Sequence, residues 1–235
     1  MAGVLYLVPN LLGIVAPQSV LPQRTLQIAA RLRHYVVENA KPARHFLKTL
    51  ETGTPLATIE LTETGENPSP QRCDALLAPA RAGRDMGLLS DAGCPAIADP
   101  GALVVAAAHR ERITVVPLVG PSAILLALMA SGMNGQGFTF HGYLPIKAAA
   151  RSESMRRLES TSAQTGYAQL FIEAPYRNVA LLQALVVTLR PQTRLCVAAD
   201  LTLDSESVQS RPVRDWQGSD LSAYAKRPAL FVMQA

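Results

Sequence analysis

Apolar segments of strand length alternate with segments of helical periodicity along most of the chain. Residues 3–8 form a continuous apolar run, and residues 113–117 and 169–173 are mostly apolar segments of strand length. Such runs are typical of buried strands that are covered on both faces of a sheet. Between them, apolar residues recur on one side of predicted helices, as in residues 23–33. This alternation predicts an α/β protein.

Residues 86–130 show this alternation most clearly, as strand, turn, helix, strand, turn and helix. Turn-forming residues follow the first strand at positions 90–95, and further turns at 99–101 and 120–122 each open an apolar helix. Ligands of open α/β sheets bind beyond the carboxyl ends of strands, so these turns are candidate binding loops. Asp99 is placed to cap the helix that follows, with Pro100 at its first position. The alternative is that both turns only connect elements.

Composition agrees with a well-buried globular protein. The 235 residues suffice for one large domain or two smaller ones, and they are 49% hydrophobic and 17% charged, with a mean hydropathy of +0.15. The longest apolar run, residues 113–130, is interrupted by Pro117, Gly120 and Pro121, and its helical part is too short to span a bilayer. The amino terminus has no positive flank typical of a signal peptide. We therefore expect a cytoplasmic protein without a membrane segment.

Cysteine spacing and net charge exclude some classes of site. Cys73, Cys94 and Cys196 have no CxxC spacing, so neither a disulfide framework nor a metal site is predicted. Ser122 lies in G-P-S-A, not in the G-x-S-x-G of a hydrolase nucleophile, and the turn around Cys94 offers no basic partner. The net charge of +4 is compatible with an RNA partner without requiring one.

Four motifs, SDAGCPAIADPG at residues 90–101, VPLVGPSA at 116–123, GYLP at 142–145 and EAPYR at 173–177, occur in this order along the chain. Together they resemble the bacterial small-subunit ribosomal RNA ribose 2′-O-methyltransferases, a branch of the tetrapyrrole methylase superfamily. Residues 90–101 (SDAGCPAIADPG) are similar to that family's S-D-A-G-T-P-L-I-S-D-P-G. Residues 116–123 (VPLVGPSA) resemble V-P-L-P-G-P-C-A, residues 142–145 (GYLP) resemble G-F-L-P, and residues 173–177 (EAPYR) resemble E-S-P-H-R. The resemblance implies two α/β domains of the tetrapyrrole methylase type, residues 1–117 and residues 118–235, with the cofactor cleft between them.

The resemblance also implies an activity and a set of contacts. It implies an S-adenosylmethionine-dependent methyltransferase, closest to the enzymes that methylate the ribose 2′-oxygen of ribosomal RNA, and a homodimer. Most of the implied cofactor contacts are through backbone atoms. These contacts are Ala92, Gly93, Cys94, Ile97, Ser122, Ala123, Glu173 and Cys196.

Other stretches depart from the family pattern. The family's E-D-T-R is ENAK at residues 38–41, its H-E-H-N-E loop has no histidine counterpart, and the arginine of its A-R-E-L-T is replaced by Ala199. The chain also stops at its last predicted strand, where family members continue into a further helical segment, so we expect a divergent, shortened member. These departures leave two alternatives open. One is a methyltransferase for a tetrapyrrole or another small molecule, and the other is a cofactor-binding protein without catalysis.

The sequence singles out no catalytic base. Glu38, Asp91, Asp99 and His141 are candidates to take the proton of a hydroxyl acceptor, and none has neighbours that distinguish it. A lone histidine within a strand is more often structural than catalytic. Lys147, Arg151, Arg156 and Arg157 follow on a predicted helix, where they would either contact phosphates or form a solvated face.

Overall fold

A computed structural model describes residues 2–53 and 55–235. The chain forms two compact units, residues 1–122 and residues 123–235, and each contains a five-stranded sheet. The α/β class predicted from the sequence is therefore confirmed, whereas the domain boundary between residues 117 and 118 stays a prediction. No helix within the described ranges combines the length and the apolar character needed to cross a membrane.

The first unit consists of a parallel sheet and five helices. Its strands are β1 (Val4–Val8), β2 (His34–Val37), β3 (Glu60–Glu63), β4 (Met86–Leu89) and β5 (Thr114–Pro117). Its helices are α1 (Gln23–Arg31), α2 (Ala40–Lys48), α3 (Pro70–Leu76), α4 (Ala78–Arg81) and α5 (Gly101–Arg110). The strand order is β3-β2-β4-β1-β5. After β1 the chain continues to β2, towards one edge of the sheet, and after β4 it continues to β5, at the opposite edge. The neighbouring strands β1 and β4 therefore flank the topological switch point.

Each face of this sheet carries its own apolar cluster. Because side chains alternate along a strand, Tyr35 and Val37 of β2 pack with α1 and α2, whereas Val36 packs with α3, α4 and α5. The Tyr35 hydroxyl donates a hydrogen bond to the Ala29 carbonyl at 2.5 Å, and burial raises the pKa of Tyr35. A Cβ at Gly87 of β4 would lie 2.4 Å from the Tyr35 ring. Glycine at this strand position therefore makes room for the ring.

The second unit has a mixed sheet. Its strands are β6 (Phe138–Tyr143), β7 (Ala168–Ile172), β8 (Arg194–Ala199), β9 (Ser207–Pro212) and β10 (Ala229–Gln234). Its helices are α6 (Ala123–Ser131), α7 (Ala148–Thr165) and α8 (Asn178–Thr188). The strand order is β6-β7-β10-β8-β9, in which β6 and β7 are parallel and the other pairs are antiparallel. The core contains Phe171 and Phe231, whose stacked rings have centroids 5.8 Å apart, and the buried Trp216.

Local sequence sets several helix ends. Ser69 caps α3 by accepting the Arg72 N–H at 3.1 Å, and α7 ends at Gly166, whose φ of 71° is left-handed. One local prediction was wrong: Pro100 is the capping residue of α5 and Gly101 its first helical residue. Short 3-10 helices occupy Pro17–Ser19, Leu56–Thr58, Pro175–Arg177, Val213–Trp216 and Leu221–Tyr224.

Candidate functional site

The loops that follow β1 and β4 are joined at the switch point of the first sheet. The Asn10 N–H donates to the Gly93 carbonyl at 2.9 Å. The Asn10 side chain is buried with the loop, and its Nδ2 donates to the carbonyl oxygens of Ser90 and Asp91, each at 3.0 Å. One buried amide therefore fixes the backbone at the exit of β4. The sequence around Asn10 does not predict this role, because the bonded residues lie 80 and 81 positions away.

The loop after β5 packs against the same two loops. The Cys94 thiol lies 3.4 Å from the Pro121 carbonyl oxygen, and a Cβ at Gly120 would lie 2.3 Å from Cβ of Pro9. Only glycine at position 120 allows the two loops to approach so closely. Burial raises the pKa of the Cys94 thiol, so it is protonated near neutral pH and is a poor nucleophile.

The backbone between β4 and α5 is left-handed at several positions, and Asp99 supports it. Gly93, Ala96 and Ala98 have φ angles of 69°, 67° and 62°. A left-handed conformation costs a residue with a Cβ about 1–2 kcal/mol. The Asp99 carboxylate accepts the Ala96 N–H at 2.9 and 3.0 Å and the Gly101 N–H at 2.7 Å. Asp99 thus holds the loop and accepts the first N–H of α5, although it lies one position before the capping residue, Pro100.

Three carboxylates gather at the carboxyl edge of β2 and β4. Glu38 and Asp99 line one small pocket, and Glu38 Oε2 accepts the Asp91 N–H at 3.1 Å. Asn39 Nδ2 donates to Asp91 Oδ2 at 2.6 Å. Burial raises the pKa of Asp99 against the effect of its hydrogen bonds, and the charges of Glu38 and Asp91 add to the rise. Within residues 2–53 and 55–235, no cluster of His, Cys, Asp and Glu is arranged to hold a metal ion.

The four candidate bases differ in how their polar atoms are engaged. Both Asp99 oxygens accept backbone N–H groups, and His141 Nε2 lies 2.7 Å from Gln169 Oε1 on the neighbouring strand. Among the described residues, no hydrogen bond engages Oε1 of Glu38 or Oδ1 of Asp91. The geometry therefore favours Glu38 and Asp91 as groups that face a ligand.

Glu173 lies directly after β7 and is only 4% exposed. Its Oε1 accepts N–H groups of Arg177 at 2.7 and 2.9 Å and the N–H of Ala174 at 2.8 Å. Its Oε2 is buried and has no hydrogen-bond partner in the described part of the chain. A buried acceptor without a partner costs about 1–3 kcal/mol, so this oxygen suits a donor group of a ligand.

The remaining predicted contact residues lie at different depths. Ala92 and Ile97 expose their side chains in the loop after β4, and Ile97 is 53% exposed. Ser122 and Ala123 are half-buried. Ser122 precedes α6, and Ala123 is the first residue of that helix. Cys196 lies within β8 and is fully buried, and burial raises its pKa to about 11. The structure brings together the loops of Gly93, Cys94 and Ser122 within the first unit. Two other predicted contacts belong to the second unit, where Glu173 directly follows β7 and Cys196 lies in the middle of β8.

No protein-family model matches the chain. The chain is 30% identical over 214 residues to the ribosomal RNA small subunit methyltransferase I of Vibrio cholerae serotype O1, a match that covers 91% of this chain and 70% of that protein. The protein of the same name from Synechocystis sp. is 32% identical over 226 residues, covering 95% of this chain and 73% of the relative. The chain is thus shorter than both relatives.

Solved structures with similar folds are also methyltransferases. The crystal structure of the methyltransferase CobJ matches with a TM-score of 0.64 and 16% sequence identity. This match covers 99% of this chain and 94% of the CobJ chain. That of uroporphyrin-III-C-methyltransferase from Thermus thermophilus has a TM-score of 0.58 and 21% identity, and covers 100% and 93% of the two chains. At these identities the likeness establishes the fold alone, and it agrees with the two α/β units described above. Because its relatives match over more than nine-tenths of its length, the chain belongs to the ribosomal RNA small subunit methyltransferase I family.

Proposed function

We propose that this protein transfers a methyl group from S-adenosylmethionine to the ribose 2′-hydroxyl of a nucleotide in small-subunit ribosomal RNA. The names of the relatives supply the reaction and the RNA. The resemblance of residues 90–101 and 116–123 to ribose methyltransferases supplies the acceptor atom. The observation that carries the proposal is the junction of the three loops after β1, β4 and β5, at the position where α/β sheets bind ligands.

The residues present suit the chemistry of the cofactor. S-adenosylmethionine carries hydrogen-bond donors on its ammonium, ribose and adenine groups, and the buried Glu173 Oε2 is an acceptor without a partner. Ala92 and Ile97 offer exposed apolar surface for the methionine chain. We therefore propose that the cofactor contacts are Ala92, Gly93, Cys94, Ile97, Ser122, Ala123, Glu173 and Cys196. When bound, the cofactor supplies an electrophilic methyl group.

The acceptor hydroxyl must lose its proton as the new carbon–oxygen bond forms, and we assign this proton to Asp91. Its Oδ1 is available, and Asn39 orients the carboxylate through Oδ2. Glu38 accepts the Asp91 backbone N–H and so positions the residue. Asp99 shapes the loop and takes no part in proton transfer, because backbone N–H groups occupy both of its oxygens.

Calorimetric titration with S-adenosylmethionine tests the cofactor assignment. We expect binding by the unmodified protein and loss of binding in Ala92→Trp and Ala123→Trp, because an indole would fill the space of the ligand. Ala106→Trp, on the exposed side of α5, is the matched control and should bind normally. Absence of binding by the unmodified protein would refute the methyltransferase proposal.

Transfer of a radioactive methyl group tests the acceptor. Small ribosomal subunits lacking the modification should become labelled, and the label should survive alkaline hydrolysis in a dinucleotide, because a 2′-O-methyl group blocks cleavage. Labelling of a tetrapyrrole in place of RNA would favour the alternative acceptor.

We further propose that the enzyme acts as a homodimer in the cytoplasm, as the family resemblance implies. Sedimentation equilibrium should give twice the chain mass of 25.1 kDa. A mass of one chain at all concentrations would contradict the dimer, and cell fractionation would test the location.

A further inference from the structure

Two exposed tyrosines and one guanidinium group lie together at the carboxyl edge of β6 and β7. Tyr143, the last residue of β6, is 62% exposed, and Tyr176, in the 3-10 helix after β7, is 72% exposed. The Arg177 guanidinium carbon lies 5.1 Å from the Tyr176 ring centroid, and Arg177 Nη1 donates to the Tyr176 hydroxyl at 3.1 Å. Tyr143 pairs with Ile172 of β7, the residue before Glu173, and the hydrogen bonds to Glu173 raise the pKa of Arg177.

This arrangement is held in place by buried and bent backbone elements. The Arg177 guanidinium donates twice to Glu173, a carboxylate with no exposed side-chain surface, and is therefore fixed against the Tyr176 ring. The pairing of β6 with β7 shifts register between Phe140 and Tyr143, where Gly142 has a φ of 64°. Such bulges redirect side chains, and here the last side chain of the strand points to solvent.

Two basic residues follow Tyr143 within the next eight positions of the chain. Lys147 precedes α7 and is exposed, and Arg151 lies in the first turn of that helix. Arg151 Nε is buried without a hydrogen-bond partner among the described residues. Residues 143–152 contain no acid, Glu153 follows them in α7, and Arg177 pairs with Glu173. The surface therefore combines stacking faces with the cations Lys147 and Arg151, whereas Arg177 is paired with Glu173.

We propose that Tyr143, Tyr176 and Arg177 form a stacking platform for unpaired bases of the RNA substrate, with Lys147 and Arg151 placed for its phosphates. Aromatic rings stack on any base, and a guanidinium adds a cation–π contribution. Single-stranded RNA is the occupant that we propose, because its unpaired bases present planar faces and its phosphates are regularly spaced anions, and because the proposed substrate is RNA. The inference rests on the proposed function, because it names how the second unit holds the RNA.

Fluorescence anisotropy with labelled RNA tests the platform on the full chain. The probe is a single strand of about twelve nucleotides, compared with a duplex of equal length. We expect the unmodified protein to prefer the single strand. Tyr176→Ala and Tyr143→Ala should each weaken single-strand binding about tenfold, and Tyr176→Phe should retain it, because the ring face remains. Lys147→Ala should weaken binding to both RNAs and reduce the salt slope by about 1.

Matched surface variants control for general effects. Val187→Ala, at an 85% exposed position of α8, and Arg214→Ala, on an exposed side chain after β9, should bind RNA like the unmodified protein. Thermal melting identifies variants that fail to fold, and Tyr176→Phe keeps the test decisive if Tyr176→Ala is unstable. If Tyr176→Ala does not fold, Tyr176→Leu is compared with Tyr176→Phe, and equally tight binding of single-stranded RNA by the two variants would overturn the stacking role.

Titration of the same preparations with S-adenosylmethionine separates the two proposals. If the unmodified protein binds neither the cofactor nor RNA, the proposed function fails. If it binds the cofactor but the folded tyrosine variants retain full affinity for RNA, the stacking platform alone is refuted. A change of oligomeric state in the tyrosine variants, with unchanged RNA binding, would identify the surface as a contact between copies of the chain and also overturn the inference.

Discussion

Both carboxylate oxygens of Asp99 accept the backbone N–H of Ala96, at 3.0 and 2.9 Å. Ala96 has a left-handed φ of 67°, a conformation that a residue with a Cβ adopts only under constraint. The carboxylate supplies that constraint and also accepts the first N–H of α5, from Gly101. The shape of the loop after β4 therefore depends on one side chain.

Replacement of Asp99 should destabilise the first unit. In Asp99→Ala, the N–H groups of Ala96 and Gly101 lose their acceptor, so we expect the free energy of unfolding to fall by about 1–3 kcal/mol. Urea denaturation monitored by circular dichroism measures the change. Asp204→Ala, at an exposed turn position, is the control and should have little effect.

The stabilising effect of Asp99 should fall as pH rises. Because its pKa is raised in the folded protein, the folded state binds this proton more tightly than the unfolded state does. The unfolding free energy of the unmodified protein, relative to that of Asp99→Asn, should be highest below the unfolded-state pKa of about 3.9. This difference, the margin, should shrink as pH rises through the pKa of Asp99 in the folded protein. Urea titrations of both proteins from acid to neutral pH measure this margin, and a margin that grows with pH would contradict the raised pKa.

Gly120→Ala should disturb the junction of the loops. The added Cβ would lie 2.3 Å from Cβ of Pro9 and 2.9 Å from Leu21, so the loops must separate. We expect a loss of about 1–3 kcal/mol in unfolding free energy and weaker binding of S-adenosylmethionine. Gly135→Ala is the matched control, because a Cβ there meets no atom within 4 Å. Equal effects of the two substitutions would argue against a specific role for Gly120.

Asn10→Asp should separate the donor role of this residue from its acceptor role. In the unmodified protein the Leu11 N–H donates to Asn10 Oδ1 at 2.8 Å, and an aspartate oxygen can still accept this bond. The aspartate cannot donate to the carbonyl groups of Ser90 and Asp91. We expect a loss of about 2 kcal/mol in stability and weaker cofactor binding. Calorimetry and urea denaturation measure both. Asn67→Asp, at an exposed position, should leave both unchanged.

Asp91→Asn should slow methyl transfer about 100-fold or more if Asp91 accepts the proton. The effect should fall on kcat, with little change in the KM for RNA, since the amide has the same shape. Glu38→Gln should reduce kcat less, because its role is to position Asp91 through a backbone N–H. Asp85→Asn, at a surface ion pair with Arg31, serves as the charge control. An Asp91→Asn enzyme with normal kcat would exclude the assignment.

The sequence predicts the strands and the order of the binding loops because hydrophobic runs and turn residues report local structure. Residues 3–8 and 86–89 became β1 and β4 for that reason. Asn10 could not be predicted to bond to Ser90, because the two lie 80 residues apart and no spacing rule links them. The unpartnered oxygen of Glu173 likewise depends on how the second unit packs around it. Tyr176 and Arg177 are neighbours in the sequence, but their stacking depends on the ion pair with Glu173.

The position of β4 between β1 and β2 has a consequence for synthesis of the protein. β1 pairs with β4 and β5, whereas β2 pairs with β3 and β4. A nascent chain that has not yet released residues 86–89 from the ribosome can join β2 to β3, but it leaves the amino-terminal strand without a partner. Folding of the first unit must therefore wait for its fourth strand. Until then, the apolar run at residues 3–8 is exposed to chaperones and to aggregation.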